Sequence, residues 1–378
     1  MKTNTFNPFN LTNYFGAEYF CDREKETDVL IQNLENQVNT TLFAYRRLGK
    51  TALVKHVFNK LKSRKNTVCI YLDIFGTTNL EEFGNALATS IYNAFPPKQS
   101  IGKKIIASIQ SMRPIISFDE LTGTPSLSFN HQLDAQKKST IQQLFQFIDE
   151  QGVSVFIAID EFQQILEYPE KNTDAIIRTQ IQQLKNTHFI FCGSHQKMIH
   201  ELFNNAKRPF FASCSNLHLE SIPRKKYQVF IRKIFTKHKR TIAQDSLDFI
   251  CDWTLCHTFY VQYLCNQLFA KGKTEIDLNH VKETSAEVLQ LLENGFYQYR
   301  NLLSEFQWKV LRAVSKSGQL YHPNSNDFIK GNNFGTPSSV NRALEALVEK
   351  EMIFYNAAVD KPYYETYNKF LMRWMQGN

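Results

Sequence analysis

Read for the spacing of apolar positions, the first half of the chain alternates between two periods. A short β-rich run from Val38 to Phe43 leads into Ala44-Tyr45-Arg46-Arg47-Leu48-Gly49-Lys50-Thr51. The following ALVKHVFNKLKS carries its apolar residues at helical spacing. Thr67 to Ile74 (TVCIYLDI) is β-branched and nearly continuous in apolar character, as in a strand buried on both faces. A helix is predicted from Asn79 or Leu80 to about Phe95, stopped by Pro96-Pro97. The alternation resumes with a helix over 136–150, a strand over Val153–Ile159, a helix over 173–185, a strand over His188–Cys192 and a helix over His195–Asn204. Strands alternating with helices of this length predict βαβ units and a mostly parallel sheet. Residues 98–135 interrupt the pattern as an insertion, a basic amphipathic stretch followed by turn-rich sequence, and the pattern leaves its conformation open.

Beyond Ile222 the strands largely stop, and three or four helices run to about Leu292. The remainder has its own order. Helix Glu305–Lys316 and a short helix near Asn326–Lys330 precede Thr336-Pro337-Ser338-Ser339, which opens a helix to Lys350. Thr336 is placed to N-cap that helix and Pro337 to occupy its first position. Two short strands, Met352–Asn356 and about Tyr363–Tyr367, flank a turn at Asp360-Lys361-Pro362, and a final helix ends at Trp374. Three helices and a β-wing describe a winged helix-turn-helix. The expected organisation is an α/β parallel-sheet core over 1–221 holding the 98–135 insertion, a helical lid over 222–295 and the winged helix over 296–378. No internal repeat is legible.

Composition narrows the class. With 378 residues, 43% hydrophobic and 21% charged, the chain is long enough for two or three domains and too apolar to be wholly disordered. No apolar run approaches the ~18 residues of a membrane span, and the first residues lack the basic and apolar regions of a secretory signal. The seven cysteines form no Cys-x-x-Cys pair, so neither a disulfide framework nor a zinc knuckle is expected. Scattered core thiols in a reducing cytoplasm are the expectation.

The chemistry concentrates at predicted strand ends. Gly49-Lys50-Thr51, after a strand and before a helix, matches the end of the P-loop pattern G-x-x-x-x-G-K-[ST]. In that setting backbone N–H groups hold phosphate oxygens, the lysine reaches the β/γ-phosphates and the threonine ligates Mg²⁺. The expected nucleotide-binding stretch is Arg46, Arg47, Leu48, Gly49, Lys50, Thr51 and Ala52. Ala44 replaces the first glycine, which narrows the backbone freedom of the loop. Downstream, Val155 to Ile159 ends in Asp160-Glu161, placing two acids where α/β sheets bind ligands. Asp160 is expected to hold Mg²⁺ with Thr51, and Glu161 to polarise the attacking water as general base. After HFIFC and Gly193, Ser194 is placed to hydrogen-bond the γ-phosphate or the lytic water, to N-cap the next helix, or to do both. Together these residues are the expected chemistry of a Mg²⁺-dependent ATPase taking ATP and releasing ADP.

The order of motifs resembles archaeal-type AAA+ ATPases of the STAND class, in particular their bacterial ATP-binding branch. The matching stretches are Tyr19-Phe20-Cys21-Asp22-Arg23-Glu24, Arg46 to Thr51, Asp160-Glu161-Phe162-Gln163, Gly193-Ser194, Arg208-Pro209-Phe210-Phe211, His257 to Gln262 and Ser338-Ser339-Val340. The resemblance implies an ATPase core, a helical lid and a C-terminal winged helix. It also implies adenine near Asp22-Arg23-Glu24. Tyr45 stands where the family often has proline, and Cys256-His257-Thr258-Phe259-Tyr260 replaces a Gly-His-Pro-Tyr type of lid sequence without an evident sensor arginine. Arg208 is the candidate arginine finger, which would make turnover depend on a homo-oligomer; the other reading is a surface loop arginine.

Charge gives the partner question a place. The chain carries a formal +8, and residues 207–240 alone hold ten Lys/Arg against Glu220, a net +9. The terminal 296–378 holds ten Lys/Arg against seven Asp/Glu, although Ser338, Ser339, Asn341 and Arg342 stand where a recognition helix would meet base edges. Two functions are therefore expected in turn. The first is an ATP-hydrolysing molecular switch acting on an oligomer or protein partner. The second is a DNA-binding regulator or initiator, with ATP or ADP mainly structural, meeting double-stranded DNA through the basic stretch or the winged helix. No membrane partner is expected.

Overall fold

Alternating side chains sort the core strands into two hydrophobic layers, and the helices follow from that. The computed structural model describes residues 6–95, 100–131, 133–357 and 360–377, apart from the side chains of 100, 101 and 196. The chain divides into two units, one running from Asn13 to Ser221, the other combining the segment up to Thr12 with everything from Ile222.

In the first unit the order is α1 (Glu24–Glu35), β1 (Thr40–Phe43), α2 (Lys50–Leu61), β2 (Thr67–Asp73), α3 (Leu80–Ala94), α4 (Ser100–Ser111), β3 (Ile115–Phe118) and β4 (Pro125–Ser128). It continues with α5 (Asp134–Asp149), β5 (Ser154–Asp160), α6 (Thr173–Ile181), β6 (Thr187–Gly193), α7 (Gln196–Asn204) and β7 (Ser215–His218). Five strands form one sheet in the order β2-β5-β6-β1-β7, and each pairing is parallel. Along β5, Val155, Ile157 and Ile159 enter one cluster with side chains of α3 and α5. Phe156 and Ala158 enter the opposite cluster with Leu30, Leu53 and Val57 of α1 and α2. Strand β6 divides likewise, Phe189 and Phe191 on one side, Ile190 and Cys192 on the other. Each buried side chain of this size contributes about 1.5–3 kcal/mol, so a one-residue slip of register would exchange both layers at once.

The insertion has regular structure after all. It forms α4 and an antiparallel hairpin of β3 and β4. Ile105 and Ile109 join the α3–α5 cluster, and the N–H groups of Leu127 and Phe129 donate to Thr89 Oγ1 (2.9 Å) and Asn85 Oδ1 (2.8 Å) on α3. The predicted stop at Pro96-Pro97 lies outside the described residues. Helix α6 ends at Ile181, short of the predicted 185, because Asp149 accepts from the backbones of Lys185 and Asn186 and turns the chain into β6.

The second unit contains α8 (Arg224–Lys237), β8 (Thr241–Ile242), α9 (Gln244–Thr254), α10 (Thr258–Ala270), β9 (Glu275–Ile276) and α11 (Leu278–Asn301). Then follow α12 (Glu305–Ser317), β10 (Gln319–Leu320), α13 (Asn326–Gly331), α14 (Pro337–Glu349), β11 (Ile353–Asn356), β12 (Tyr363–Thr366) and α15 (Lys369–Gly377). The 295/296 boundary drawn from sequence falls inside α11. The start of the described chain also joins this unit, Phe9 packing its ring on Phe235 and Phe269. Thr336 caps α14 by accepting from Ser339 N–H (3.3 Å), with Pro337 in the first turn as predicted. The wing gains a third strand, order β10-β12-β11, whose two-residue β10 was too short to leave a period in the sequence. Among the described residues no helix is long and apolar enough to cross a membrane.

The winged helix encloses an ion pair. Lys369, 2% exposed, donates to the Glu365 carboxylate and to the Thr366 carbonyl (2.8 Å), while Gln319 Nε2 donates to the other Glu365 oxygen (3.1 Å). Removing one member leaves a buried charge without its partner. Lys369→Ala should therefore lower unfolding free energy by about 3–5 kcal/mol, measured in urea, whereas replacing both residues with apolar side chains of similar volume should recover most of the loss.

Candidate functional site

Strand order alone brings the predicted chemistry together. Strand β6 lies between β5 and β1, so the C-terminal end of β6, carrying Gly193-Ser194, sits between the Asp160-Glu161 end of β5 and the loop leaving β1. That loop, Ala44 to Gly49, closes with Gly49 at φ 99°, a left-handed conformation that favours glycine. Gly49 carries no side chain to cap α2. The first intrahelical bond runs from Leu53 N–H to Gly49 O (2.9 Å), so the N–H groups of Lys50, Thr51 and Ala52 have no partner within the helix. An anion seat results. Ala44 keeps a negative φ and is fully buried in the α1–α2 cluster, so the missing glycine costs no backbone strain at that position, whereas Arg47 in the same loop takes a left-handed φ of 64°. Leu48 is buried in the same cluster, while Arg46 and Arg47 are exposed.

The acidic pair is held from several sides. Asp160, 5% exposed, accepts from Thr51 Oγ1 (2.9 Å) and Tyr71 Oη (2.5 Å) on Oδ2. Glu161 accepts on Oε2 from Gln163 Nε2 (2.6 Å), Ser194 Oγ (2.8 Å) and Ser194 N (3.3 Å). Burial pushes the Glu161 carboxyl up, but the Gln163 hydrogen bond, the Lys50 charge and Ser194 outweigh it and hold it below its ordinary value. Ser194 therefore contacts the acid; the capping role falls to His195, whose ring accepts from Met198 N–H. Gly193 is required by close approach, because a Cβ there would overlap Ile199 and the amide oxygen of Gln163.

Three contributors were missed from sequence. Tyr71 reaches Asp160 only because β2 pairs with β5, a neighbourhood that no local pattern encodes. Asp73, directly beside Asp160 in that register, was legible as an acid ending a buried strand, the same signal that pointed to Asp160. Burial raises its carboxyl; the Phe75 N–H opposes this, and the Asp160 and Glu161 charges reinforce it. Gln163 stood in the acidic motif without a role.

Other predicted residues are placed differently. Asp22 and Arg23 both have left-handed backbones ahead of α1. The buried Arg23 guanidinium donates to Glu26 (2.9 Å) and to the Glu220 carbonyl (2.5 Å), within its own chain. Arg208 pairs with Glu201 (3.0 Å) and, more loosely, Asp174 (3.4 Å). In the basic stretch, Arg224 bridges Asp248 and Asp252, and Arg240 lies over the Phe269 ring while donating to its carbonyl. Part of that positive charge is thus compensated internally, while Lys225 and Lys233 on α8 are exposed.

Thr51 Oγ1 and the Asp160 carboxylate are hard oxygen donors meeting beside a lysine and a helix N-terminus, a donor set suited to Mg²⁺ on a phosphate chain. Comparison with known proteins gives the family and the fold. Residues 20–256 match a family described as an ATPase domain predominantly from Archaea, and residues 294–377 match a probable winged helix domain. No curated protein sequence matches the chain. Among solved structures, the Walker-type ATPase PABY2304 of Pyrococcus abyssi aligns over 98% of this chain and 99% of its own, with 17% identity and a TM-score of 0.67. The Aeropyrum pernix ORC2 protein, solved as ADPNP-ADP complexes, aligns over 98% and 96% with 12% identity and a TM-score of 0.60. The Aeropyrum pernix ORC1 protein in complex with DNA aligns over the same shares with 11% identity and a TM-score of 0.54. At these identities the likeness is one of fold: a P-loop ATPase sheet followed by a winged helix.

The lowered Glu161 carboxyl has a consequence for stability. Its contribution is fully present above the ordinary value of 4.5 and is lost as pH falls through the lower folded value. Urea unfolding of the protein and of Glu161→Gln should therefore differ most above pH 4.5 and converge below it.

Proposed function

The chain belongs to the family described as an ATPase domain predominantly from Archaea, and from that premise we propose that it binds and hydrolyses ATP with Mg²⁺ as a molecular switch. The observation that carries this reading is the 2.9 Å hydrogen bond between Thr51 and Asp160, with Glu161 one residue further on. Thr51 and Asp160 would hold Mg²⁺, which supplies charge neutralisation at the phosphates. Lys50 reaches the β/γ-phosphates, and the open N–H groups of Lys50, Thr51 and Ala52 receive their oxygens. Asp22, Arg23, Arg46 and Arg47 flank the nucleotide in this reading. Glu161 is kept ionised and takes the proton of the attacking water; both Gln163 and Ser194 engage Oε2, and neither engages Oε1. Ser194, fixed between the loop and the acids by β6, is the residue that senses the γ-phosphate.

The nucleotide state is read by the parts beyond the core, 222–295 as lid and 296–378 as winged helix. In this scheme Arg208 leaves Glu201 and Asp174 for the nucleotide of a neighbouring copy. Double-stranded DNA is the second partner class, drawn by the basic stretch 207–240 or the winged helix, and it enters the test below.

Lys50→Ala should abolish ATP binding measured by calorimetry, whereas Glu161→Gln should keep binding and lose turnover by about 10²–10⁴-fold. A Lys50→Ala protein that hydrolyses ATP like the parent overturns the proposal.

Turnover per molecule should rise with protein concentration, and Arg208→Ala should lower it by about 10³–10⁵-fold. Unchanged turnover at every concentration, with and without duplex DNA, removes both the finger and the DNA coupling.

A further inference from the structure

The end of α9 brings two cysteines together by backbone geometry. Leu255 and Cys256 both take left-handed conformations, φ 53° and 52°. Cys256 N–H donates to the Cys251 carbonyl (3.0 Å), and Leu255 N–H donates to the Asp252 carbonyl (3.4 Å). These are the six-to-one and five-to-two bonds of a Schellman cap, with Cys251 three positions before the cap and Cys256 two beyond it. In that cap the side chains at those two positions meet, usually as an apolar contact. Here both are thiols. The Cys256 sulfur lies 3.8 Å from the Cys251 carbonyl oxygen. One backbone hydrogen bond joins the two residues across the cap.

Their surroundings differ in a useful way. Cys251 is 2% exposed, and Cys256 is half-buried, so reagents in water meet Cys256 first. The Cys251 thiol beside it lowers the Cys256 thiol, burial opposes this, and the Arg224 guanidinium lowers it further. Side-chain hydrogen bonding with Cys256, together with burial, moves the Cys251 thiol up. The more exposed Cys256 is therefore the member that a reagent in water attacks first, and the buried Cys251 is placed to resolve it. Cys265 on α10 also influences Cys251, but it is fully buried.

We propose that Cys251 and Cys256 are a redox-active dithiol, a modification site that a hydroperoxide closes to an intramolecular disulfide. The Cys256 thiolate attacks the terminal oxygen of the peroxide. The O–O bond breaks, a sulfur–oxygen bond forms, and the departing alkoxide or hydroxide takes a proton. The Cys251 sulfur then attacks Cys256 and releases its own thiol proton. The S–S bond forms as the S–O bond breaks, and hydroxide leaves with that proton as water. Two thiols lose two electrons and two protons, and one peroxide is reduced to an alcohol or water plus a second water. The product ties the last turn of α9 to the connection that leads into α10. The inference is independent of the ATPase reading.

Trypsin should release residues 241–271 as one peptide, which contains Cys251, Cys256 and Cys265 and no internal Lys or Arg. The native protein is treated with hydrogen peroxide, alkylated with iodoacetamide in denaturant and mapped by tandem mass spectrometry. The expected result is a peptide alkylated on Cys265 alone and lighter by two hydrogens, with all three cysteines alkylated again after dithiothreitol. Cys265→Ser should leave the loss of two thiols unchanged, and Cys251→Ser should stop at a Cys256 sulfenic acid that dimedone traps. Three alkylated cysteines after peroxide overturn the proposal, as does a bridge that includes Cys265. Because the decisive measurement uses the unsubstituted chain, a variant that fails to fold does not obscure it.

Discussion

The structure of the core unit depends on placing an almost fully buried carboxylate, Asp160, where two hydroxyls can satisfy it. An isolated charge at such a depth would be costly. Thr51 from α2 and Tyr71 from β2 converge on one of its oxygens, so one acid links the P-loop helix, the acidic strand and the neighbouring strand. That link works only with β2, β5, β6 and β1 in this lateral order. The alternating clusters on the two faces hold the order in place.

Next to that anchor the same economy governs Glu161. Burial opposes a charge there, while Gln163, Lys50 and Ser194 favour it. The second group prevails because its hydrogen bonds are short and point at one oxygen. Gly193 permits this convergence by leaving room for Gln163. The winged helix handles its own buried charges by the same means, with Glu365 receiving Lys369 and Gln319 together.

Much of this was legible along the chain. Gly49-Lys50-Thr51 between a strand and a helix, and an apolar strand ending in Asp160-Glu161, pointed to the site without any knowledge of distance. Thr336 and Pro337 marked the start of α14 because capping is local chemistry. Residues 98–135 resisted because two of their strands have four residues each and face outward in part. Tyr71 resisted for another reason: its role exists only across a strand pair. Arg23 and Arg208 show the converse, since a guanidinium in a family motif acquires carboxylate and carbonyl partners that the motif does not announce.

What the sequence by itself determined was the kind of chemistry and the elements that carry it. Periodicity and capping are set within a few residues, so strands, helices and the loop before α2 can be read in one dimension. Tertiary structure decided which groups touch. It put β6 between β1 and β5 and so inserted Ser194 between loop and acids, gave the helix cap to His195, and turned the far end of β2 toward Asp160. The physical reason is that burial, hydrogen-bond satisfaction and charge balance are properties of a neighbourhood. In a parallel sheet, neighbours are separated by whole crossover helices and are far apart in the chain.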